Sequence, residues 1–382
     1  MKLFDVYPLY DVEPVNAYGS IVIDKNDTEY LDLYGGHAVI SIGHSHPHYV
    51  KKIKEQVEKI GFYSNAVQNS LQSKLADKLG KLSGYDNYQL FLCNSGAEAN
   101  ENALKLASFF TGKTRIVAFN NGFHGRTSAA VAATDNAKIN APLNKQQDVT
   151  FLPLNQIELV ETELKKGDVC AVIIEPIQGV GGLNEGSTEF FTSLERLCNE
   201  LGVVLILDEV QSGYGRSGKF FAHQFHSITP DIISIAKGMG NGFPVGGILI
   251  APHIEPNYGM LGTTFGGNHL ACAAALAVLE VIETEKLIDN ARVLGDYFSA
   301  LVSDLPGVRK VKGKGLMLGL EFDFEVSELR KKLIYDKHIF TGGAMNKNVL
   351  RILPPLTIGK REIDLFIKAL QEVLVIEKSV IV

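Results

Sequence analysis

From about residue 89 to residue 250, short runs of consecutive apolar residues alternate with stretches whose apolar positions recur every three or four residues. The runs are QLFLC, RIVAF, VCAVIIEP, VVLILDEV, DIISIA and VGGILIA; GAEANENALKLASFF and STEFFTSLERLCNELG are among the periodic stretches. A strand with one wet face alternates apolar and polar residues, so unbroken runs predict strands buried on both faces under helices. That pattern defines an α/β domain with a mostly parallel sheet. Past Asn268 the texture changes to the alanine- and leucine-rich helix HLACAAALAVLEVIE, a further helix, the strand-like run GLMLGLEFDF and a final helix from about Lys360. This predicts a smaller α+β domain. Before about Gly43, the strand-like pieces SIVID and EYLDLY flank the turn KNDTE and are expected to pack with the C-terminal part. A chain of 382 residues exceeds what one core normally supports. The expected division is an N-terminal segment, 1–45, joined to the small domain, a large domain, 46–267, and a C-terminal small domain, 268–382.

Charge narrows the class of partner. The formal net charge of -6 is spread without a basic tract, which leaves no electrostatic footprint for nucleic acid or an anionic membrane. A small-molecule ligand is expected. The start, MKLFDVYPLYDVEP, has acidic residues and a proline where a signal peptide needs an apolar stretch, and no later segment is long and apolar enough to span a bilayer. A cytoplasmic location is expected. Cys93, Cys170, Cys198 and Cys272 lie far apart without disulfide or metal spacing, and are read as small buried hydrophobes.

Candidate chemistry sits where the predicted strands end. Ser95-Gly96-Ala97 follows QLFLC and opens a helix, so backbone N–H groups and a hydroxyl face outward at a positive helix end suited to a phosphate. A plain N-cap by Asn94 or Ser95 would look the same. Asp208 follows VVLIL at the carboxyl edge of the sheet, where open α/β folds bind ligands, with Gln211 just beyond. Its carboxylate suits a protonated ring nitrogen or a magnesium ion, but no G-x-x-x-x-G-K-[ST] motif supplies the phosphate half of a nucleotide site. Lys237 follows DIISIA and precedes Gly238-Met239-Gly240-Asn241-Gly242. Lysines are ordinarily solvated loop residues; here the apolar run before and the glycines after favour close approach to a ligand, where partial desolvation makes an amine nucleophilic. Phe123 and Arg126, in FHGR after RIVAF, could stack on a planar ring and hold a carboxylate, or be a core phenylalanine and a surface arginine. Gly262 to Gly267, with Thr263 and Thr264, could meet a phosphate or simply turn.

Two patterns mislead. Gly213 to Gly218 matches G-x-G-x-x-G but starts several residues past its strand and leads into KFFAHQF without a clear helix start, which argues against dinucleotide binding. His44, His46 and His48 are spaced i, i+2 around Pro47 at a helix start, which aims three imidazoles in different directions, so no metal is expected there.

Taken in order, SGAEAN, FHGRT, EPIQG, LDEVQSGYGRSG, AKGMGNGFPVG and GTTFGGN resemble the class III pyridoxal-phosphate aminotransferases, over essentially the whole chain including GHSHPHYV. Within that family the chain is most similar to the branch acting on acetyl- and succinylornithine. The resemblance implies a fold type I transferase in which Ser95, Gly96 and Ala97 bind the cofactor phosphate and Phe123 covers the pyridine ring. It implies that Asp208 pairs with the ring nitrogen, Gln211 approaches the ring hydroxyl, and Lys237 holds the cofactor as a Schiff base and shuttles the proton. Thr264 would reach the phosphate of the neighbouring subunit, which implies a homodimer. Arg126 and Thr263 would contact the amino donor, and Arg351, in LRILPPL, a carboxylate of 2-oxoglutarate. The implied reaction belongs to arginine biosynthesis; the alternatives are a family member acting on free ornithine or 4-aminobutyrate, a nucleotide-dependent oxidoreductase resting on Gly213 to Gly218, and a non-catalytic protein with the family fold.

One departure stands out. Where the ornithine branch of the family usually has a glutamate after the glycine of EPIQG, this chain has Val180. Arg351 is therefore expected to lack a screening carboxylate, and an unpaired arginine in a dry pocket is costly.

Overall fold

The structure is a computed structural model that describes residues 1–303 and 305–380. Three strands open it, β1 (Pro14–Tyr18), β2 (Ile21–Asp24) and β3 (Glu29–Asp32), followed by a single turn α1 (Gly35–Ala38) and by α2 (Pro47–Val57) and α3 (Ser70–Ser83). The central part contributes β4 (Gln89–Cys93), α4 (Gly96–Thr111), β5 (Arg115–Phe119), α5 (Ser128–Ala132), β6 (Val149–Leu152), α6 (Ile157–Leu164), β7 (Val169–Ile174) and α7 (Thr188–Leu201), then β8 (Val204–Asp208), β9 (Ile232–Ile235) and β10 (Gly246–Ile250). The last part holds α8 (His269–Thr284), α9 (Leu287–Val302), β11 (Val308–Lys314), β12 (Met317–Phe322), α10 (Ser327–Tyr335), β13 (Ile339–Phe340), β14 (Gly342–Gly343), β15 (Val349–Ile352) and α11 (Lys360–Val380).

Strands β4 to β10 form one sheet in the order β4-β10-β9-β8-β7-β5-β6. From β6 to β9 the pairing is parallel, and β10 lies antiparallel to both β9 and β4. Every residue of β5, β7, β8 and β9 is buried. Their alternate side chains serve two cores: Ala118, Ala171 and Ile206 meet Ala99, Ala103 and Ala107 of α4 on one face, while Val117, Val172 and Leu205 meet Phe190, Phe191 and Leu194 of α7 on the other. This is why those runs lack alternation. The short strand β6 at the sheet edge follows a polar loop, and its four mostly half-buried residues carry no apolar run to mark it in the sequence.

The first strands pack against the C-terminal part of the chain. β3 pairs in parallel with β13, and Val22 and Tyr30 pack on Ile334 of α10. The core is continuous past Asn268, since α8 residues such as Cys272 and Leu279 share a cluster with Leu75 and Leu79 of α3 and with Leu350 and Phe366.

Parallel order brings the carboxyl ends of β5, β7, β8 and β9 to one edge of the sheet, so the residues just beyond them, Phe123, Glu175, Asp208 and Lys237, face a common space. Helix α4 starts there with a complete cap: Ser95 Oγ accepts the Glu98 N–H at 3.2 Å, and Glu98 reaches back to the Asn94 N–H at 2.8 Å. Its far end stops at Gly112, whose φ of 70° is left-handed and whose N–H closes on Ser108.

Candidate active site

A cavity of about 360 Å³ lies at that edge, lined among others by Ser95, Gly96, Ala97, Phe123, Arg126, Asp208, Gln211 and Lys237. Its floor depends on close approach. A Cβ on Gly96 would stand 2.6 Å from Val210 Cγ1, and one on Gly125 would stand 2.7 Å from Ala97 Cβ, so the opening of α4 presses directly on the turns after β5 and β8. The N–H groups of Gly96 and Ala97 belong to a first helical turn and have no carbonyl behind them in the helix. An anion seated there would meet free donors and the positive end of α4.

Asp208 is 4% exposed and tightly held. Its Oδ2 accepts from Asn100 Nδ2 at 2.7 Å and lies 2.7 Å from His124 Nδ1, while Oδ1 accepts the Val210 N–H at 3.0 Å. Asn100 is fixed in turn by donating to the His124 carbonyl and accepting from Ser234 Oγ. Sequence reasoning passed over Asn100, His124 and Ser234. The signal for Asn100 was a buried amide one helical turn beyond Gly96 on the alanine face of α4, which has to be satisfied by a partner.

Lys237 is half-buried and opens onto the cavity. Its φ of 43° places a non-glycine residue in the left-handed region, which is strained. The turn is held from outside by the segment before α2 and by the start of α2 itself. Asn241 Oδ1 accepts the N–H groups of Ser41 and Ile42 at 2.8 and 3.0 Å, and Asn241 Nδ2 donates to the Gly43 carbonyl. Ser41 Oγ donates to the Gly238 carbonyl at 2.7 Å, and Tyr49 donates to that of Gly240. Desolvation pushes the Lys237 pKa down, opposed by the charges of Asp208 and Glu175 and assisted by that of Arg351.

Opposite stands Glu175, 6% exposed, at the end of β7. In the sequence it carries the same signal as Asp208, an acid directly after an apolar run, although EPIQG alone suggests no role for it. Burial, then Asp208, push its carboxyl up to about 7.

Arg351, on β15, is 3% exposed and stands behind Gln211, which lines the cavity while Arg351 itself does not. It donates to the carbonyls of Gly343 and Gly179 and, at 3.4 Å, to Gln211 Oε1, with its guanidinium 5.8 Å from the Tyr34 ring. Among the described residues no carboxylate lies within ion-pair distance of it, and desolvation lowers its pKa. Gln211 also donates to the His37 carbonyl at 3.1 Å. That carbonyl is presented by α1, where Gly35, Gly36, His37 and Ala38 all have φ between 53° and 71°, a left-handed turn costly for its two non-glycine residues. Val180 lines the cavity, and its carbonyl accepts the Met345 N–H.

Of the remaining candidates only Arg126 lines the cavity. Arg126 is exposed at the cavity mouth. Thr263 borders an adjoining groove and touches the site only through Asn94 Nδ2, 3.4 Å from its hydroxyl, while Thr264 is exposed and outside the cavity. Gly213 to Gly218 opens no helix. It forms turns that bury Tyr214 and Arg216, and its Gly215 and Gly218 let Ile288 and Arg292 approach closely. Arg216 donates to the carbonyls of Leu316, Pro354 and Ile40. The three imidazoles of GHSHPH go to three different acids, His44 to Asp32, His46 to Glu285 and His48 to Glu280.

The chain belongs to the class III aminotransferases: the family model described as Aminotransferase class-III matches residues 7–374. It is 41% identical over 369 residues to the acetylornithine aminotransferase of Bacillus subtilis, covering 95% of this chain and 94% of that one. The acetylornithine aminotransferase of Aquifex aeolicus is 40% identical over 380 residues, with 97% and 99% covered. Among solved structures, the ornithine aminotransferase of Toxoplasma gondii ME49 matches with a TM-score of 0.91 at 28% identity, over 97% of this chain and 92% of that one. A T. gondii ornithine aminotransferase crystallised with oxidised glutathione, described as having partial occupancy of PLP at its active site, matches with a TM-score of 0.89 at 28% identity, with the same coverage. Among the described residues no helix is long and apolar enough to cross a membrane.

Proposed function

We propose that this chain transfers the terminal amino group of an N-acylated ornithine to 2-oxoglutarate, with pyridoxal phosphate in the cavity, as a step of arginine biosynthesis in the cytoplasm. The observation that carries the reading is Lys237, a half-buried amine on strained backbone that opens into a cavity with Asp208 and Glu175. The residues fit the cofactor part by part. Gly96 and Ala97, with Ser95, suit its phosphate, Phe123 its ring face, Asp208 its ring nitrogen and Gln211 its hydroxyl. When bound, pyridoxal phosphate supplies an electron sink and a carrier for the amino group. Lys237 Nζ, made a readier base by desolvation, takes the proton from the carbon bearing the donor's amine and later returns it. Arg126 and Thr263 hold the donor, and Arg351 holds a carboxylate of the oxo acid. In this reading residues 46–267 carry the cofactor, while 1–45 and 268–382 form the small domain that brings Arg351 to it.

The acylated donor is supported by the acetylornithine aminotransferases named above, which cover 95% and 97% of this chain at 41% and 40% identity. Single-turnover reaction of the cofactor-loaded protein with N-acetylornithine, N-succinylornithine, ornithine and 4-aminobutyrate tests it. Rapid loss of the visible band with an acylated donor is expected, and faster loss with ornithine or 4-aminobutyrate would reassign the donor. Between the two acyl groups, the absence of a described carboxylate beside Arg351 favours succinyl, because the arginine stays available to the donor's own distal carboxylate. The expected kcat/KM preference for N-succinylornithine is about tenfold, one charge-assisted contact, and should fall in Val180→Glu. A preference for the acetyl compound, unchanged in that variant, removes the succinyl reading.

A homodimer completes the proposal. The surface bearing Thr264 also exposes Phe62, Tyr63 and Phe265, with the Phe62 and Phe265 rings 5.3 Å apart, an apolar patch that a second copy would cover while bringing Thr264 to its phosphate. Sedimentation of the loaded protein should give twice the 41.7 kDa chain mass; a monomer that retains full activity would refute the shared site.

A further inference from the structure

We propose that Glu175 is a positioning residue that straps the wall over the cofactor ring to the seat of the oxo acid's carboxylate, a role that rests on the aminotransferase reading above. Its two oxygens serve two different loops. Oε1 accepts the N–H of Phe123 at 2.9 Å, in the loop after β5, and Oε2 accepts the N–H of Gly179 at 2.8 Å, in the loop after β7. Phe123 lines the cavity. Gly179 presents its carbonyl to Arg351 Nη1 at 3.0 Å and is pressed against Gln211, whose Oε1 would stand 2.0 Å from a Cβ at that position. One carboxylate thus sets the spacing between the aromatic wall and the arginine behind Gln211.

A purely structural acid would satisfy the same two amides while facing away from charge. Glu175 instead lines the cavity and is coupled to charges of the site: Asp208 and His124 influence its ionisation, and its own charge is felt by Lys237 and Arg351. Two N–H donors are best met by the anion, since protonation turns one acceptor into a hydroxyl aimed at an N–H. With its carboxyl pushed up to about 7 by burial and by Asp208, the strap slackens as pH falls through that value.

The test is Glu175→Gln in the full chain loaded with pyridoxal phosphate, with KM and kcat for donor and 2-oxoglutarate followed across pH. The amide keeps the size but sets an NH2 group against one of the two backbone N–H groups. KM for 2-oxoglutarate is expected to rise on the order of tenfold, one buried hydrogen bond, with the KM of N-acetylornithine, a donor that brings no distal carboxylate to Arg351, changing less than about threefold. The fall in kcat/KM for 2-oxoglutarate on the acid side of about pH 7 should disappear. Glu175→Asp, which keeps the charge but withdraws it by one methylene, should show the same selective rise with the acid-side fall retained. Equal changes for both substrates in either variant, or a lowered Tm with unaltered KM, overturn the proposal. A wild-type chain that forms no visible band with the cofactor refutes the aminotransferase reading itself, and the strap with it.

Discussion

Lys237→Ala is expected to lose transamination by about 10³-fold or more, because one residue both anchors the cofactor and moves the proton, and a positioned general base alone contributes roughly 10²- to 10⁴-fold. The visible band on adding pyridoxal phosphate should vanish with it. Misfolding would give the same loss of activity, so stability is the control. Desolvation lowers the Lys237 pKa in the folded chain. A lysine whose folded pKa lies below its unfolded value opposes folding wherever the unfolded chain keeps the proton, and that penalty fades only as pH rises toward the unfolded value. Without cofactor at neutral pH, Lys237→Ala should therefore melt no lower than wild type, while only wild type gains Tm when pyridoxal phosphate is added. Residual turnover within about tenfold of wild type would remove Lys237 from the proton transfer.

Asp208→Asn is expected to lower kcat on the order of 10²-fold, a typical cost for removing one fixed electrostatic partner. The local geometry leaves the amide nowhere to go. At the Oδ2 position its NH2 would face Asn100 Nδ2, and Asn100 cannot flip because its Nδ2 also donates to the His124 carbonyl, which can only accept. At the Oδ1 position it would face the Val210 N–H. His124 can change tautomer; Asn100 and Val210 cannot change role. An unmet buried donor also costs about 1–3 kcal/mol, so Tm should fall together with cofactor affinity. A full-activity variant would mean that Asp208 does not act on the ring.

Chemistry at strand ends was legible because each residue followed an unbroken apolar run. Such a run, bounded by turn residues, reads as a buried strand, and the chain emerges at the sheet edge just after it, at Asp208 and Lys237 directly and at Phe123 after a three-residue turn. Residues acting from inside an element carried no such mark. Asn100 lies among alanines within α4 and Ser234 among isoleucines within β9, so their roles follow only from which strands are neighbours. The antiparallel setting of β10 was equally hidden, since a run buried on both faces reads alike in either direction. Arg351 was found only through resemblance: β15 pairs with β12, and nothing in LRILPPL says that its arginine points through the fold toward Gln211.

The clamp on the Lys237 turn has a consequence for the order in which the chain acquires competence. Ser41 and Asn241, which close it, are separated by 200 residues. Loop closure over such a span comes late, because many intervening residues must be ordered before the contact is rewarded. During synthesis the N-terminal segment emerges first and waits for its partner. In refolding, helical signal should therefore return before the protein can colour with its cofactor, and a chain cut between the two segments would have to find its own N-terminus again before the lysine turn is set.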